Sequence, residues 1–188
     1  NSDSHITFSD EEISILWDNL YKVPYVDILL IQCYSGWRPQ ELGLIKIEDV
    51  DIINWTFRGG MKTDAGKNRI VPIHSKIRPL VKARYDEAII LGSDYLFNCA
   101  DTVTHRSNLK LTYDKYRHRF DKIRDQLELN PSHRAHDGRK HFITLCKKYN
   151  VDEYAIKYMV GHSISDITEK VYTDRSIDWL KSEIEKIK

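Results

Sequence analysis

The sequence predicts a single, mainly α-helical domain with one small antiparallel β-sheet, and two patterns carry that prediction. Apolar residues recur at helical spacing through most of the chain. In its first third they give way to period-two segments, with Ile45 and Ile47, Ile52 to Phe57 and Arg69 to Ile73 as strand candidates. The last two flank the turn-forming run Asp64-Ala65-Gly66-Lys67-Asn68. At 188 residues, 41% hydrophobic and 30% charged, residues 1 to 188 have the size and composition of one soluble domain with a sizeable core. Repeats, linkers and low-complexity segments are absent from the sequence.

Taken in order, Ser9 N-caps a first helix running to about Leu20, and Glu12, three residues on, completes a capping box. Ile13, Leu16, Trp17 and Leu20 form its apolar stripe, which makes Trp17 a core residue. Residues 26 to 35 are apolar nearly all round and predict a buried helix. Pro39 suits the first turn of another helix, which places Arg38 at a helix junction. Either a surface pair with Glu41 or a guanidinium fixed as a fork for a phosphate fits that place. Lys62 stands near the end of the strand entering the hairpin turn, as a solvated edge lysine or an ammonium carried over a neighbouring site. Residues 75–90 are helical, with Ile77, Leu80, Val81 and Tyr85 on one stripe, and 91–108 are loop-like apart from Tyr95-Leu96-Phe97. A long basic amphipathic helix covers 109–127 and is ended by Asn130-Pro131. Three more helices are expected, from His136 to about Tyr149, from Asp152 to Val160 with Gly161 as its stop, and from about Ser176 to Ile187.

The longest apolar run, around Ile28-Leu29-Leu30-Ile31, is far too short to span a bilayer, and the N-terminus lacks a signal-peptide pattern. Cys33, Cys99 and Cys146 are odd in number, scattered and without metal-ligand spacing, which favours reduced thiols and a cytoplasmic setting. The net charge of +1 is unevenly spread: residues 1–20 carry five acids and no Lys or Arg, whereas His105 to Lys148 carries twelve Lys and Arg against five acids. A solvated helix face is the usual meaning of such a run. Its interleaved aromatics and its continuation into a His-Arg motif favour a surface facing a polyanion, with Lys110, Arg117, Arg134 and Lys140 as candidate contacts.

The candidate chemistry lies in His136-Asp137-Gly138-Arg139, Gly161-His162-Ser163 and Tyr172. On a helix, His136 and Arg139 share a face near the positive N-terminal end and point at one anion, beside an apolar stripe of Phe142, Leu145, Cys146 and Tyr149. Gly138 in that turn costs about 1 kcal/mol relative to alanine, which is compatible with a close backbone approach. Tyr172, a phenol titrating at about 10 when free, needs help as a nucleophile at neutral pH. A phosphodiester attacked by it gains charge that fixed arginines stabilise, and the departing alkoxide needs a proton from a lysine or histidine. Arg38, Lys62, His136, Arg139, His162 and Tyr172 supply these parts with no metal or cofactor.

Through these motifs the sequence resembles the catalytic domain of the tyrosine recombinases, the phage-integrase type of site-specific recombinase, from Thr7 to Tyr172. Gly36-Trp37-Arg38-Pro39-Gln40-Glu41-Leu42 is similar to that family's first arginine motif, and Lys46 through Asp51 to the short strand after it. Met61-Lys62-Thr63 through Arg69-Ile70-Val71-Pro72 is similar to its lysine hairpin. His136 through Arg139 matches its His-x-x-Arg motif, Gly161-His162-Ser163 its Gly-His motif, and Tyr172 falls where the nucleophile is expected. The chain departs from the pattern in having Lys140-His141 after Arg139, where His-Thr is frequent, and Gly138 in place of a usual leucine.

The resemblance implies the recombinase catalytic-domain fold, the catalytic half of a C-shaped clamp, acting on double-stranded DNA at a specific site by isoenergetic transesterification in a bacterial or phage-related setting. Tyr172 would form a 3′-phosphotyrosyl link and free a 5′-hydroxyl. Arg38 and Arg139 would clamp the phosphate, Lys62 would be the general acid, His136 would assist proton transfer, His162 would hydrogen-bond the phosphate and Glu41 would support Arg38. The resemblance further implies a homotetramer on two DNA sites and DNA-bending accessory factors. It also makes this chain a fragment without the core-binding and arm-binding domains. The amphipathic 177–187 helix is either packed on its own domain or a contact to a neighbour. The competing readings are a type IB topoisomerase, an inactive recombinase-derived DNA-binding module and, disfavoured by the scatter of the ligands, a metal site among the eight histidines.

Overall fold

The computed structural model describes residues 6–61, 65–100, 109–163 and 176–188, and among these eight α-helices surround a three-stranded sheet. Helix α1 (Asp10–Asp18) starts on the expected capping box: Ser9 Oγ accepts the Glu12 N–H at 3.1 Å and Glu12 Oε1 accepts the Ser9 N–H at 3.0 Å. Helix α2 (Val26–Cys33) is buried at every residue. Its one charge, Asp27, is held by a two-pronged pair from Arg84, Nε to Oδ2 at 2.7 Å and Nη2 to Oδ1 at 2.9 Å, which satisfies a carboxylate that burial would otherwise penalise. Helix α3 (Pro39–Leu42) is a single turn with Pro39 at its start.

Strands β1 (Val50–Asp51), β2 (Thr56–Gly59) and β3 (Arg69–Pro72) form an antiparallel sheet in that order, with Phe57 opposite Val50 on one side and Val71 on the other. Helices α4 (Arg78–Leu91), α5 (Tyr113–Gln126), α6 (Asp137–Lys148), α7 (Glu153–Val160) and α8 (Ile177–Ile184) complete the domain. Trp37, Phe57, Phe97, Phe120 and Phe142 are fully buried in one core that draws on the sheet and the helices alike. None of the helices described is long and apolar enough to cross a membrane.

The structure corrects three local expectations. The strand candidate beginning at Ile52 starts instead at Thr56, because Asp51 Oδ1 accepts the N–H groups of Ile53 and Asn54 at 2.9 and 2.8 Å and so turns the chain. The basic helix starts at Tyr113 rather than Leu109, since Leu109 to Leu111 run extended beside Phe97 to Cys99 and Thr112 then caps the helix through the Lys115 N–H. His136 takes the N-cap position of α6, one residue before the helix proper, and makes no capping bond with its side chain.

Helix α6 packs along α2, and one side chain fixes their approach. Gln32, fully buried, donates from Nε2 to the carbonyls of Trp37 and Ala135, both at 3.1 Å, while its Oε1 accepts the Tyr116 hydroxyl at 2.8 Å. Both donor hydrogens of the amide and its carbonyl oxygen are thus engaged. Those carbonyls belong to the residues just before Arg38 and His136, so a single amide ties the two motif segments together. Helix α8 packs on β3 of its own chain, with Leu180, Ile184 and Ile187 buried, Glu185 accepting from Ser75 N and Oγ at 2.8 Å, and His74 Nε2 donating to the Ile187 carbonyl at 2.6 Å.

Candidate active site

Arg38 precedes α3 and is largely enclosed, its side chain 16% exposed, so it is not the surface arginine that one reading of the sequence allowed. Its Nη1 donates to Oε1 of the fully buried Glu41 at 2.7 Å. This ion pair fixes one end of the guanidinium from within the protein. Arg139, in the first turn of α6, is 8% exposed, and its Nη1 donates to the Gly36 carbonyl at 2.9 Å. Its Nη2 lies 3.2 Å from Nε2 of His162. For the arginine to donate there, the imidazole must be neutral and carry its proton on Nδ1. Gly161, in the left-handed conformation after α7, ends that helix with the His162 N–H on the Lys157 carbonyl at 2.9 Å, which sets the direction of the histidine.

The site is electrostatically loaded. Burial first, and then the like charge of Arg38, pulls the Arg139 guanidinium down to about 9, against a smaller opposing effect of Glu41. Among the described residues no carboxylate is ion-paired with Arg139. A bound anion would relieve its charge. His162 is exposed overall, but desolvation of its inner edge, then the charges of Arg139, Arg38 and Arg69, lower its pKa and favour the neutral ring.

Arg38, Glu41, Arg139 and His162 are therefore brought together. His136 is half-buried at the start of α6, with its ring edge-on to Tyr113 at 6.4 Å between centroids. Lys62 and Tyr172 lie outside the described residues. No group of three or more His, Cys, Asp or Glu side chains that could hold a metal occurs among the described residues.

A model of the phage integrase family matches residues 7–177. The chain belongs to that family. Solved integrase and recombinase structures share its fold: the XerA recombinase at a TM-score of 0.70 and 19% identity, over 94% of this chain and 63% of its own. The Tn1549 transposon integrase, in complex with circular intermediate DNA, gives 0.69 at 19% identity over 98% and 66%. The integrase of mycobacterium phage Brujita gives 0.69 at 16% identity over 97% and 58%. The chain thus spans about two thirds or less of each of these structures. No curated protein sequence matches it.

In this integrase-family chain the four basic candidates lie around α5 and α6. Lys110 sits 4.9 Å over the Tyr95 ring, Arg117 is exposed beside Asp114 at 3.6 Å, and Arg134 and Lys140 are exposed on either side of His136 and Arg139 in sequence. One buried cation escaped the sequence reading. Arg69, 2% exposed on β3, donates from Nη2 to Glu41 Oε2 at 2.5 Å, on the carboxylate that also holds Arg38. The signal was its register: Arg69 and Val71, two apart, face inward together, and a charge on a core-facing strand position requires a buried partner.

Proposed function

We propose that this chain is the catalytic domain of a site-specific DNA recombinase that cuts and rejoins strands by metal-independent transesterification. The observation that supports it best is the pair Arg38 and Arg139, both enclosed and preset by protein hydrogen bonds, with Arg139 lacking an ion-paired carboxylate among the described residues. Such a pair holds a tetrahedral phosphate and stabilises the charge that develops on its non-bridging oxygens without reorganising.

In this reading the Tyr172 phenolic oxygen attacks the scissile phosphorus, the bond to the 5′-oxygen breaks, and a 3′-phosphotyrosyl link forms. Lys62 gives the leaving oxygen its proton, and His136 assists proton transfer by taking up the proton that the phenol releases on attack. His162 hydrogen-bonds a phosphate oxygen, and Glu41 keeps Arg38 in place. The freed 5′-hydroxyl of a partner strand reverses the reaction at the same phosphorus. Lys110, Arg117, Arg134 and Lys140 contribute contacts to the DNA backbone. The full protein works as a homotetramer on two double-stranded sites with DNA-bending factors, further domains preceding this one.

The test is a nicked duplex carrying the element's own site, on which the short cleaved strand diffuses away and traps the covalent complex. The unsubstituted protein should form an adduct in the presence of chelator, and Tyr172→Phe should form none. Absence of any adduct on that site would refute the reading. Relaxation of supercoils without exchange between two sites would point to a topoisomerase instead.

A further inference from the structure

The guanidinium of Arg69 meets three motif-bearing segments at once. Toward the first arginine motif it forms a fork on Glu41, with Nη2 to Oε2 at 2.5 Å and Nη1 to Oε1 at 3.3 Å, and its Cζ lies 4.4 Å from the Trp37 ring centre. Toward the hairpin, Nη1 donates to the Gly66 carbonyl at 2.9 Å. Toward the Gly-His turn, Nε donates to the Met159 carbonyl at 2.8 Å. The backbone has been cut back to let it in. A Cβ on Gly60 would sit 2.6 Å from Nη1 and 1.8 Å from the Gly66 carbonyl oxygen, and one on Gly161 would sit 2.8 Å from the same nitrogen. In sequence Gly60 and Gly66 flank the stretch that carries Lys62, and Gly161 directly precedes His162.

We propose that Arg69 is a positioning residue for the cleavage reaction, setting the Lys62 hairpin, the Arg38 junction and the His162 turn in one mutual register. The inference rests on the transesterification reading above. Arg69 touches no reacting atom; it acts through Glu41 on Arg38, through Gly66 on the base of the hairpin and through Met159 on the turn that aims His162. A lysine keeps the charge but offers one ammonium where four hydrogen bonds run along three directions of a planar fork. Misplacing catalytic groups by about 1 Å is enough to slow a reaction by ~100-fold while leaving binding intact.

The experiment compares the whole chain with Arg69→Lys on a library of nicked duplexes randomised across the cleaved region. Three quantities are read: the rate of covalent adduct formation, the affinity of the Tyr172→Phe background for the selected duplex, and amide hydrogen exchange. The expected result is adduct formation slowed ~10- to 100-fold at unchanged DNA affinity, with faster exchange confined to residues 65–70 and 159–163. An unchanged rate, or a fall in rate matched by a fall in affinity, would overturn the proposal. If the unsubstituted chain forms no adduct at all, the recombinase reading fails and the exchange data stand alone. Unchanged exchange in those two segments would then sink the registering role as well.

Discussion

A Cβ on Gly138 would lie 2.3 Å from Oε1 of Gln32, so the two positions share one volume in the packing of α6 on α2. The glycine in the His-x-x-Arg motif is thus explained by a partner 106 positions upstream in sequence. Gly138→Leu should destabilise the fold by about 3 kcal/mol through overpacking. Gln32→Ala should cost about 2 kcal/mol or more, because it strands the Trp37 and Ala135 carbonyls and the Tyr116 hydroxyl. Combined, the two should cost less than their sum by ~1 kcal/mol or more, since the second relieves the clash created by the first. Urea denaturation of the three variants reads the coupling, and strict additivity would contradict a shared volume.

A second prediction concerns how α1 is tied to the start of α6. His133 is fully buried between two carboxylates, with Nδ1 2.7 Å from Asp137 Oδ2 and Nε2 3.0 Å from each Glu12 oxygen. Glu12 also accepts the Asn130 N–H at 3.0 Å, while Phe8 covers the imidazole at 4.2 Å. Glu12→Ala removes half of the capping box and a partner of a buried ring, and should cost ~2–3 kcal/mol. Its exposed neighbour serves as the control: Glu11→Ala should stay within about 0.5 kcal/mol of the parent. Equal effects in the two denaturation curves would remove Glu12 from the clamp.

These two cases show what the sequence could and could not carry. The Ser9 cap, the buried α2 and the β2–β3 hairpin rest on neighbours within a few residues, and spacing alone revealed them. The motifs that carry Arg38, His136, Arg139 and His162 were legible for the same reason, each being a run of residues close in sequence. Hidden were the contacts that hold those motifs against one another: Gln32 to Ala135 spans 103 positions and Arg69 to Met159 spans 90. No periodicity encodes such distances. The false strand at Ile52 failed on a smaller scale, where the Asp51 carboxylate competed for backbone N–H groups that a ladder would have used.

His141 makes the stability of the domain sensitive to mild acid. Its ring is 4% exposed, its Nδ1 lies 2.8 Å from Thr7 Oγ1, and burial pushes its pKa down to about 4. An unfolded histidine titrates at about 6.5, so between pH ~6.5 and ~4 the unfolded chain binds a proton that the folded one does not. Stability is therefore lost as pH falls through that window. At pH 5 the loss from this one residue is about 2 kcal/mol. His141→Gln should show a correspondingly shallower decline of unfolding free energy between pH 7 and 5. A parallel decline in parent and variant would assign the acid sensitivity elsewhere.

The Arg139–His162 contact allows charge and geometry to be separated. Arg139→Gln removes a positive charge 3.2 Å from the imidazole, so the His162 titration midpoint should move up, though not fully, because desolvation of the ring remains. Arg139→Lys keeps a positive charge but loses the planar fork that reaches both the Gly36 carbonyl and His162. Its His162 midpoint should stay near the parent's while cleavage falls by ~100-fold or more, the scale expected for losing a preset donor to a developing oxyanion. NMR of the His162 ring protons reads the first quantity and the nicked-duplex assay the second. Should Arg139→Lys cleave at the parental rate, a point charge suffices and the fork is dispensable. Should Arg139→Gln leave the His162 midpoint where it was, the neighbouring charge is not what lowers it.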